Sequence, residues 1–170
     1  QAPLAPNIQT AFDIGTGSGV IAAILAKRGI PDIIATDTNP KAIACATANL
    51  ERLGLDKAVS IQSINLFPES CADLIVCNPP WLPAKPTSAI ETALYDPNNA
   101  MLTAFLNGVR HHLNPNGEAW LIISDLAEHL HLRDKDFLQQ CFQTASLNVV
   151  DILKTKPQHK KAIDESDPLA

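Results

Sequence analysis

Short apolar runs alternate along this chain with longer segments in which apolar side chains recur every three or four positions. Thr10–Ile14, Asp32–Thr36, Ala58–Gln62, Ala72–Cys77, Ala119–Ser124 and Asn148–Leu153 have the length and apolar content of strands. Val20–Arg28 places Ile21, Ile24 and Leu25 on one face and stops at Gly29, which predicts a helix. Asn39-Pro40 predicts the start of a second helix, because Asn caps an N-terminus well and Pro is tolerated at the first helical position. That helix carries Ile43, Ala46, Ala48, Leu50 and Leu53, and Gly54 ends it. Further helices are predicted over Ala100–His112 and Lys135–Ala145, with an irregular or helical piece over Leu126–Leu132. Leu66–Ser70 is too short, and contains a proline, for a crossover helix. A long Pro-rich loop runs from Asn78 to about Asn98, and Asn114-Pro115-Asn116-Gly117 reads as the turn into the fifth strand.

Near-continuous apolar strands alternating with helices predict an α/β fold: a doubly wound, mostly parallel sheet with helices on both faces, in three layers. From Lys154 onward the chain turns polar. No seventh strand is predicted, so the last strand of such a sheet is expected to be missing or to lie beyond Ala170. The expected division is one domain over 1–157 and a polar tail over 158–170, open to disorder. Because the chain begins at Gln1 and not Met, it is expected to be a processed or shortened piece.

Composition narrows the class without naming it. The 170 residues are 46% hydrophobic and 18% charged, enough apolar material for one packed domain and too much for a disordered chain. No apolar run approaches the ~20 residues that span a bilayer, and no signal peptide is evident. Cys45, Cys71, Cys77 and Cys141 lack metal-ligand spacing and read as reduced, mostly buried thiols, which with the missing leader predicts a cytoplasmic protein without a metal. The net charge of −5 opposes broad nucleic-acid binding by this domain alone. Lys154, Lys156, His159, Lys160 and Lys161 form a basic cluster that reads as a solvated tail.

Candidate chemistry gathers at two strand ends. Gly15-Thr16-Gly17-Ser18-Gly19 follows the first strand, where glycine allows positive φ and close approach of backbone to ligand. The loop lacks the third glycine of a dinucleotide turn, at Val20, and the Lys-Ser/Thr of a phosphate-cradling loop. Asp13 stands just before it and no Lys or Arg appears until Lys27, so the site suits a cationic ligand better than a pyrophosphate. Asp37 ends the second strand, placed to accept hydrogen bonds from both hydroxyls of a ribose. The plainer reading makes both acids helix caps. At the end of the fourth strand stands Asn78-Pro79-Pro80-Trp81. The prolines restrict the backbone and remove donors, leaving the Asn78 side chain and the Pro79 carbonyl as acceptors for a planar –NH2 group, with Trp81 available to stack on it.

Asp13-Ile14-Gly15-Thr16-Gly17-Ser18-Gly19 resembles the first motif of class I S-adenosylmethionine-dependent methyltransferases. Asp37 matches their ribose-binding acid. Asn78-Pro79-Pro80-Trp81 is similar to the Asn-Pro-Pro-aromatic motif of the branch that methylates amide or exocyclic amine nitrogens. The resemblance covers about residues 10–150. Within that branch the chain looks most like the small methyltransferase domain group, which includes release-factor glutamine methyltransferases and ribosomal-RNA guanine methyltransferases. Asn65-Leu66-Phe67 stands where that family usually has Asp-Leu-Phe, a departure that bears on cofactor affinity. The resemblance implies S-adenosyl-L-methionine as cofactor, held by Asp13, Gly15, Thr16, Gly17, Gly19, Asp37, Thr38, Asn65, Leu66 and Asn78. It implies catalysis by Asn78, Pro79, Pro80 and Trp81 on the nitrogen of a protein glutamine or an RNA base. Glu91, Tyr95 and Asp96 are candidates to line the substrate pocket, and His111 and His112 are expected to flank a helix end. Asp73 reads as a strand start. The competing expectation is a non-catalytic domain of the same fold that serves binding or scaffolding in a larger protein. A dehydrogenase is a distant third.

Overall fold

In the computed structural model, which describes residues 3–84 and 94–155, five apolar runs form one parallel sheet. The elements are β1 (Thr10–Ile14), α1 (Val20–Lys27), β2 (Asp32–Asp37), α2 (Pro40–Arg52), β3 (Val59–Ser63), β4 (Ala72–Cys77), α3 (Ala100–Val109), β5 (Leu113–Leu121), α4 (Leu126–His129) and α5 (Phe137–Thr144). Strand order is β3-β2-β1-β4-β5, so the direction of winding reverses between β1 and β4. In open α/β sheets that reversal leaves a crevice beyond the carboxyl ends of the strands. Register makes the crevice specific. Ile14 lies opposite Cys77, so Gly15 and Asn78 leave the sheet side by side.

Alternation along the strands divides the core into two layers. Ala11, Ile33, Ala35, Leu74 and Val76 pack with Ala22, Leu25 and Leu50 beneath α1 and α2. Phe12, Ile14, Ile75 and Cys77 pack with Leu102, Phe105, Leu106 and Val109 beneath α3, joined by Phe137 and Leu138 of α5. Each fully buried Ile, Leu or Phe in these layers contributes about 1.5–3 kcal/mol. As its spacing predicts, α2 starts with Asn39 as N-cap, whose side chain accepts from the Lys41 amide at 3.0 Å. Between β3 and β4 there is no helix.

Several expectations need correction. Asn148–Leu153 is not a strand: it lies without ladder bonds, and Val149, Val150, Ile152 and Leu153 are exposed. A strand is stable only when a neighbour takes its amides and carbonyls, and among the described residues nothing pairs with it. β5 begins at Leu113 and takes in Asn114-Pro115-Asn116-Gly117, which is a bulge within the strand and no turn before it. Between the Ala72–Leu113 and Leu74–Glu118 pairs, four residues of β5 (114–117) stand against the single Asp73 of β4. Gly117 is required there because a Cβ would lie 2.9–3.1 Å from the carbonyls of Asn114, Ala72 and Asp73. Of the four thiols only Cys77 is buried; Cys45 and Cys71 are exposed and Cys141 is intermediate. The tail over 158–170 and the cluster residues Lys156, His159, Lys160 and Lys161 lie outside the described residues. No helix among the described residues is long and apolar enough to cross a membrane.

Asp73 is more than a strand start. Its Oδ2 accepts from the Gln9 amide, the Thr10 amide and the Thr10 hydroxyl, and its Oδ1 accepts from Asn114 Nδ2. It therefore ties the lead-in segment and the β5 bulge to β4. The Asn114 bond, then the two amides, lower its pKa to about 2. A carboxyl depressed below its unfolded value stabilises the fold above that value and ceases to do so as pH falls through the folded one. The stability difference between wild type and Asp73→Ala should therefore shrink between about pH 4 and about pH 2. Urea midpoints measured along that series check it, and a difference independent of pH would refute the assignment.

Candidate functional site

The loop after β1 owes its shape to left-handed backbone at Gly15, Gly17 and Gly19. At Gly17 (φ 56°) a Cβ would meet nothing within 4 Å, so this glycine faces open space above the sheet. At Gly15 (φ 70°) the left-handed backbone favours glycine, and a Cβ would also lie 2.7 Å from Met101 Cε, so the end of that side chain would have to move aside. The loop is held from below. Asp13 is fully buried, and its Oδ2 accepts from Thr16 Oγ1 at 2.6 Å and from the Ala22 amide at 2.9 Å. Gly19 is the N-cap of α1 and has no side chain to cap with, so Asp13 takes a free amide of the first turn. Its other oxygen, Oδ1, is buried without a hydrogen-bond partner. Burial, above all, pushes this carboxyl up to about 6, against the Thr16 and Ala22 bonds that lower it.

Asp37 is half-buried at the end of β2. Its Oδ2 accepts from the Gly17 amide at 3.0 Å and its Oδ1 from the Asn39 amide at 2.8 Å. A carboxylate oxygen has two lone pairs, so both oxygens can accept a further donor. Thr38 is exposed beside it. Across β2, Thr36 Oγ1 donates to the Leu66 carbonyl at 2.7 Å, fixing a residue with φ 59° at the end of β3. Leu66 is half-buried and Asn65 exposed, both just beyond the carboxyl end of β3, the strand beside β2.

At the end of β4, Asn78 is exposed, Pro79 is buried, and Pro80 and Trp81 are half-buried. The Trp81 indole Nε1 donates to Asn78 Oδ1 at 3.1 Å, so the ring's polar edge turns back onto the motif's own carboxamide. Beyond it, the Leu82 amide donates to the Leu94 carbonyl and the Asp96 amide to the Leu82 carbonyl, which places Tyr95 beside Leu82 in a parallel bridge.

Asp96 does not line the crevice as a free acid. It is buried, and its two oxygens accept from the Met101 and Leu102 amides at 2.9 and 3.0 Å, capping α3. Asp96→Ala is expected to cost about 1–2 kcal/mol of stability, with Asp96→Asn losing less. Chemical denaturation checks this, and an Asp96→Ala protein as stable as wild type would contradict the capping role. Glu91 lies outside the described residues. His111 and His112 follow α3 at the opposite end of the sheet, where the His112 ring stacks on Phe67 at 4.5 Å.

Three contributors carry no local signal in the sequence. Met101 covers Gly15 from the first turn of α3. Asn99 is buried in left-handed backbone just before α3 and accepts from Arg133 Nη1 at 3.4 Å. Arg133, itself buried, also makes a bidentate pair with Glu128 (2.8 and 3.0 Å) and donates to the Ser124 carbonyl, tying the loop after β5 to the start of α3. Arg133 opens a run of charges, Arg133-Asp134-Lys135-Asp136, and nothing in that run marks it as the buried one.

The family model described as "Methyltransferase small domain" matches residues 3–152. The chain belongs to that methyltransferase family. Among curated relatives it is 35% identical over 138 residues to a release factor glutamine methyltransferase of Cereibacter sphaeroides, covering 72% of this chain and 49% of the relative. It is 34% identical over 131 residues to a tRNA1(Val) (adenine(37)-N6)-methyltransferase of Cytophaga hutchinsonii, covering 72% and 54% respectively. The chain thus spans about half the length of the curated relatives it matches. A ribosomal protein L11 methylase from Lactobacillus delbrueckii subsp. bulgaricus has the same fold, with TM-score 0.67 at 21% identity over 88% of this chain and 66% of that one.

The cofactor of this methyltransferase domain is S-adenosyl-L-methionine. The residues present suit it. Gly17 leaves open space above the loop, Asp37 retains lone pairs at the rim, and the acids Asp13 and Asp37 favour a ligand that carries positive charge.

Proposed function

We propose that the crevice between β1 and β4 transfers a methyl group to a planar amide or amine nitrogen, and that a protein glutamine is the acceptor. The observation that carries this reading is the register that sets Gly15 beside Asn78, and so the cofactor loop beside a rigid carboxamide acceptor. In this reading Asp37 accepts from the two ribose hydroxyls, while Thr38, Asn65 and Leu66 line the nucleoside end. Gly15, Thr16, Gly17 and Gly19 line the amino-acid end over the buried charge of Asp13.

When bound, S-adenosyl-L-methionine supplies a methyl group already activated on a sulfonium. What remains for the protein is alignment. An amide nitrogen is a poor nucleophile because its lone pair is delocalised into the carbonyl. Asn78 Oδ1 and the Pro79 carbonyl accept its two N–H bonds, turn the lone pair toward the methyl, and stabilise the positive charge that grows on nitrogen. No strong base is needed beforehand, since the N–H acidity rises as the new bond forms. Pro80 stiffens the turn, and Trp81 offers a flat face to the acceptor.

Charge favours protein over RNA. Around the loop after β5, Arg133 and Glu128 are paired with each other, and of the remaining charges Asp125, Asp134 and Asp136 outnumber Lys135. Lys27, Arg28, Arg52 and Arg110 stand at the C-terminal ends of their helices, at the end of the sheet away from the crevice, and Lys41 in the first turn of α2 is the exception. A phosphate backbone entering the crevice would meet carboxylates. The likeness to a tRNA adenine methyltransferase keeps an RNA base as the second reading. The work is proposed to take place in the cytoplasm.

Incubating the complete protein and methyl-labelled cofactor with cell extract, then splitting the products between protease and nuclease, tests the choice. Label that survives nuclease and is released by protease is expected. Release by nuclease would establish the RNA reading, and no cofactor binding at all would leave a scaffolding domain.

A further inference from the structure

A carboxamide is nearly symmetric in shape, and that is a weakness at Asn78. Rotated by half a turn, the group would present Nδ2 and its two hydrogens where Oδ1 should be. An acceptor N–H would then face another donor. Asn78 is exposed, so packing does not choose between the two states. The bond from Trp81 Nε1 to Asn78 Oδ1, at 3.1 Å, does. An indole N–H is a donor only, so it pairs with the oxygen and rejects the nitrogen.

The spacing makes the choice firm. Pro79 and Pro80, the residues between the partners, have fixed φ, and Asn78 is confined to extended backbone because a proline follows it. Pro79 is buried and anchors the turn. The ring is therefore delivered to the carboxamide by a short, stiff connection. A carbonyl oxygen has a second lone pair, so Oδ1 can hold the indole and still accept one N–H from a substrate. The same residue thus brings a flat ring face and the oriented oxygen to one place.

We propose that Trp81 is a positioning residue: its indole N–H locks the Asn78 carboxamide with Oδ1 ready for the acceptor nitrogen. The proposal rests on the methyl-transfer reading above and adds to it a role for the indole N–H that ring stacking does not require. Phenylalanine at 81 would keep a flat face and lose the donor. A tyrosine hydroxyl would sit at the far end of its ring, away from the carboxamide.

The test has a spectroscopic arm and a kinetic one. The chain has two tryptophans, so 15N-labelled protein gives two indole N–H signals, which Trp81→Phe assigns. Asn78→Ala should shift the Trp81 signal and speed its exchange with solvent while leaving that of Trp120, which donates to Glu118, in place. A Trp81 signal unmoved by Asn78→Ala would overturn the proposal. In transfer of label from S-adenosyl-L-methionine to cell-extract protein, Trp81→Phe should lower the saturating rate about five- to tenfold, the bias one modest hydrogen bond provides. Cofactor affinity by calorimetry and the melting temperature should stay near wild type. A higher half-saturating extract concentration with an unchanged saturating rate would show a stacking role alone, and a faster rate would show that the indole competes with the acceptor; either result overturns the proposal. Wild-type protein that transfers no label would overturn the methyl-transfer reading and the proposal with it, whereas an active wild type equalled by Trp81→Phe would overturn the proposal alone.

Discussion

Replacing Asn78 with alanine should lower the saturating rate of methyl transfer by about a hundredfold or more, a far larger effect than any weakening of S-adenosyl-L-methionine binding, to which Asn78 is also expected to contribute. The loss is that of one preorganised acceptor aimed at charge developing in the transition state, about 3 kcal/mol. Asn78 is suited to give so clean a result because it is exposed and contributes little to the core. The core contribution at this strand end comes from buried Cys77 and Pro79 on either side. Burial raises the Cys77 thiol pKa, aided by the charges of Asp13 and Asp96, so at neutral pH it is a packed neutral group and does not replace the lost acceptor. Steady-state rates at saturating cofactor and extract, with calorimetry for binding, check the prediction. A variant that kept the normal rate would remove the carboxamide from the mechanism.

The complementary result is expected at Asp37. Asp37→Ala should weaken S-adenosyl-L-methionine binding by about a hundredfold, the worth of two charge-assisted hydrogen bonds to ribose hydroxyls after the cost of taking them from water. Part of the loss is indirect. Asp37 Oδ2 holds the Gly17 amide, and its removal frees the top of the glycine loop. Asp37→Asn keeps an acceptor for that amide and should recover part of the affinity. Calorimetric titration with the cofactor or its demethylated product measures both. Unchanged affinity in Asp37→Ala would put the nucleoside elsewhere. The two variants thus divide the site, with binding lost at one strand end and turnover at the other.

Much of this site is readable from the sequence because its signals are local. β1 and β4 have the bounds their apolar runs predict, and the residues that matter follow them directly in the chain. The glycine loop and the Asn-Pro-Pro-Trp turn take their shape from backbone geometry set within a few residues, whereas Asp37 is legible only by its place at a strand end and reaches Gly17 across the sheet. What the sequence hides is tertiary. Asp96 looks like a free loop acid until α3 is placed over it, and then its oxygens are spent on the Met101 and Leu102 amides. Arg133 acquires meaning only when Glu128, Asn99 and Ser124 close around it. Asn114-Pro115-Asn116-Gly117 has turn composition, yet Asp73 on the neighbouring strand draws Asn114 into the ladder as a bulge. Asn148–Leu153 fails in the opposite sense. Its apolar pattern suits a strand, but a strand's hydrogen bonds belong to its neighbours, and pattern alone does not supply one.

The central claim is that the acceptor is a planar nitrogen, and the fate of the methyl label under hydrolysis tests it most directly. Protein from the labelled extract, freed of unreacted cofactor, is hydrolysed in hot acid. A methyl group on a glutamine amide leaves with its nitrogen, so the account predicts that the label is recovered as volatile methylamine, and that Asn78→Ala abolishes most of it. Label recovered as methanol after mild base would mean a carboxyl oxygen had been methylated. Label retained on carbon or sulfur would likewise contradict the role given to Asn78-Pro79-Pro80-Trp81.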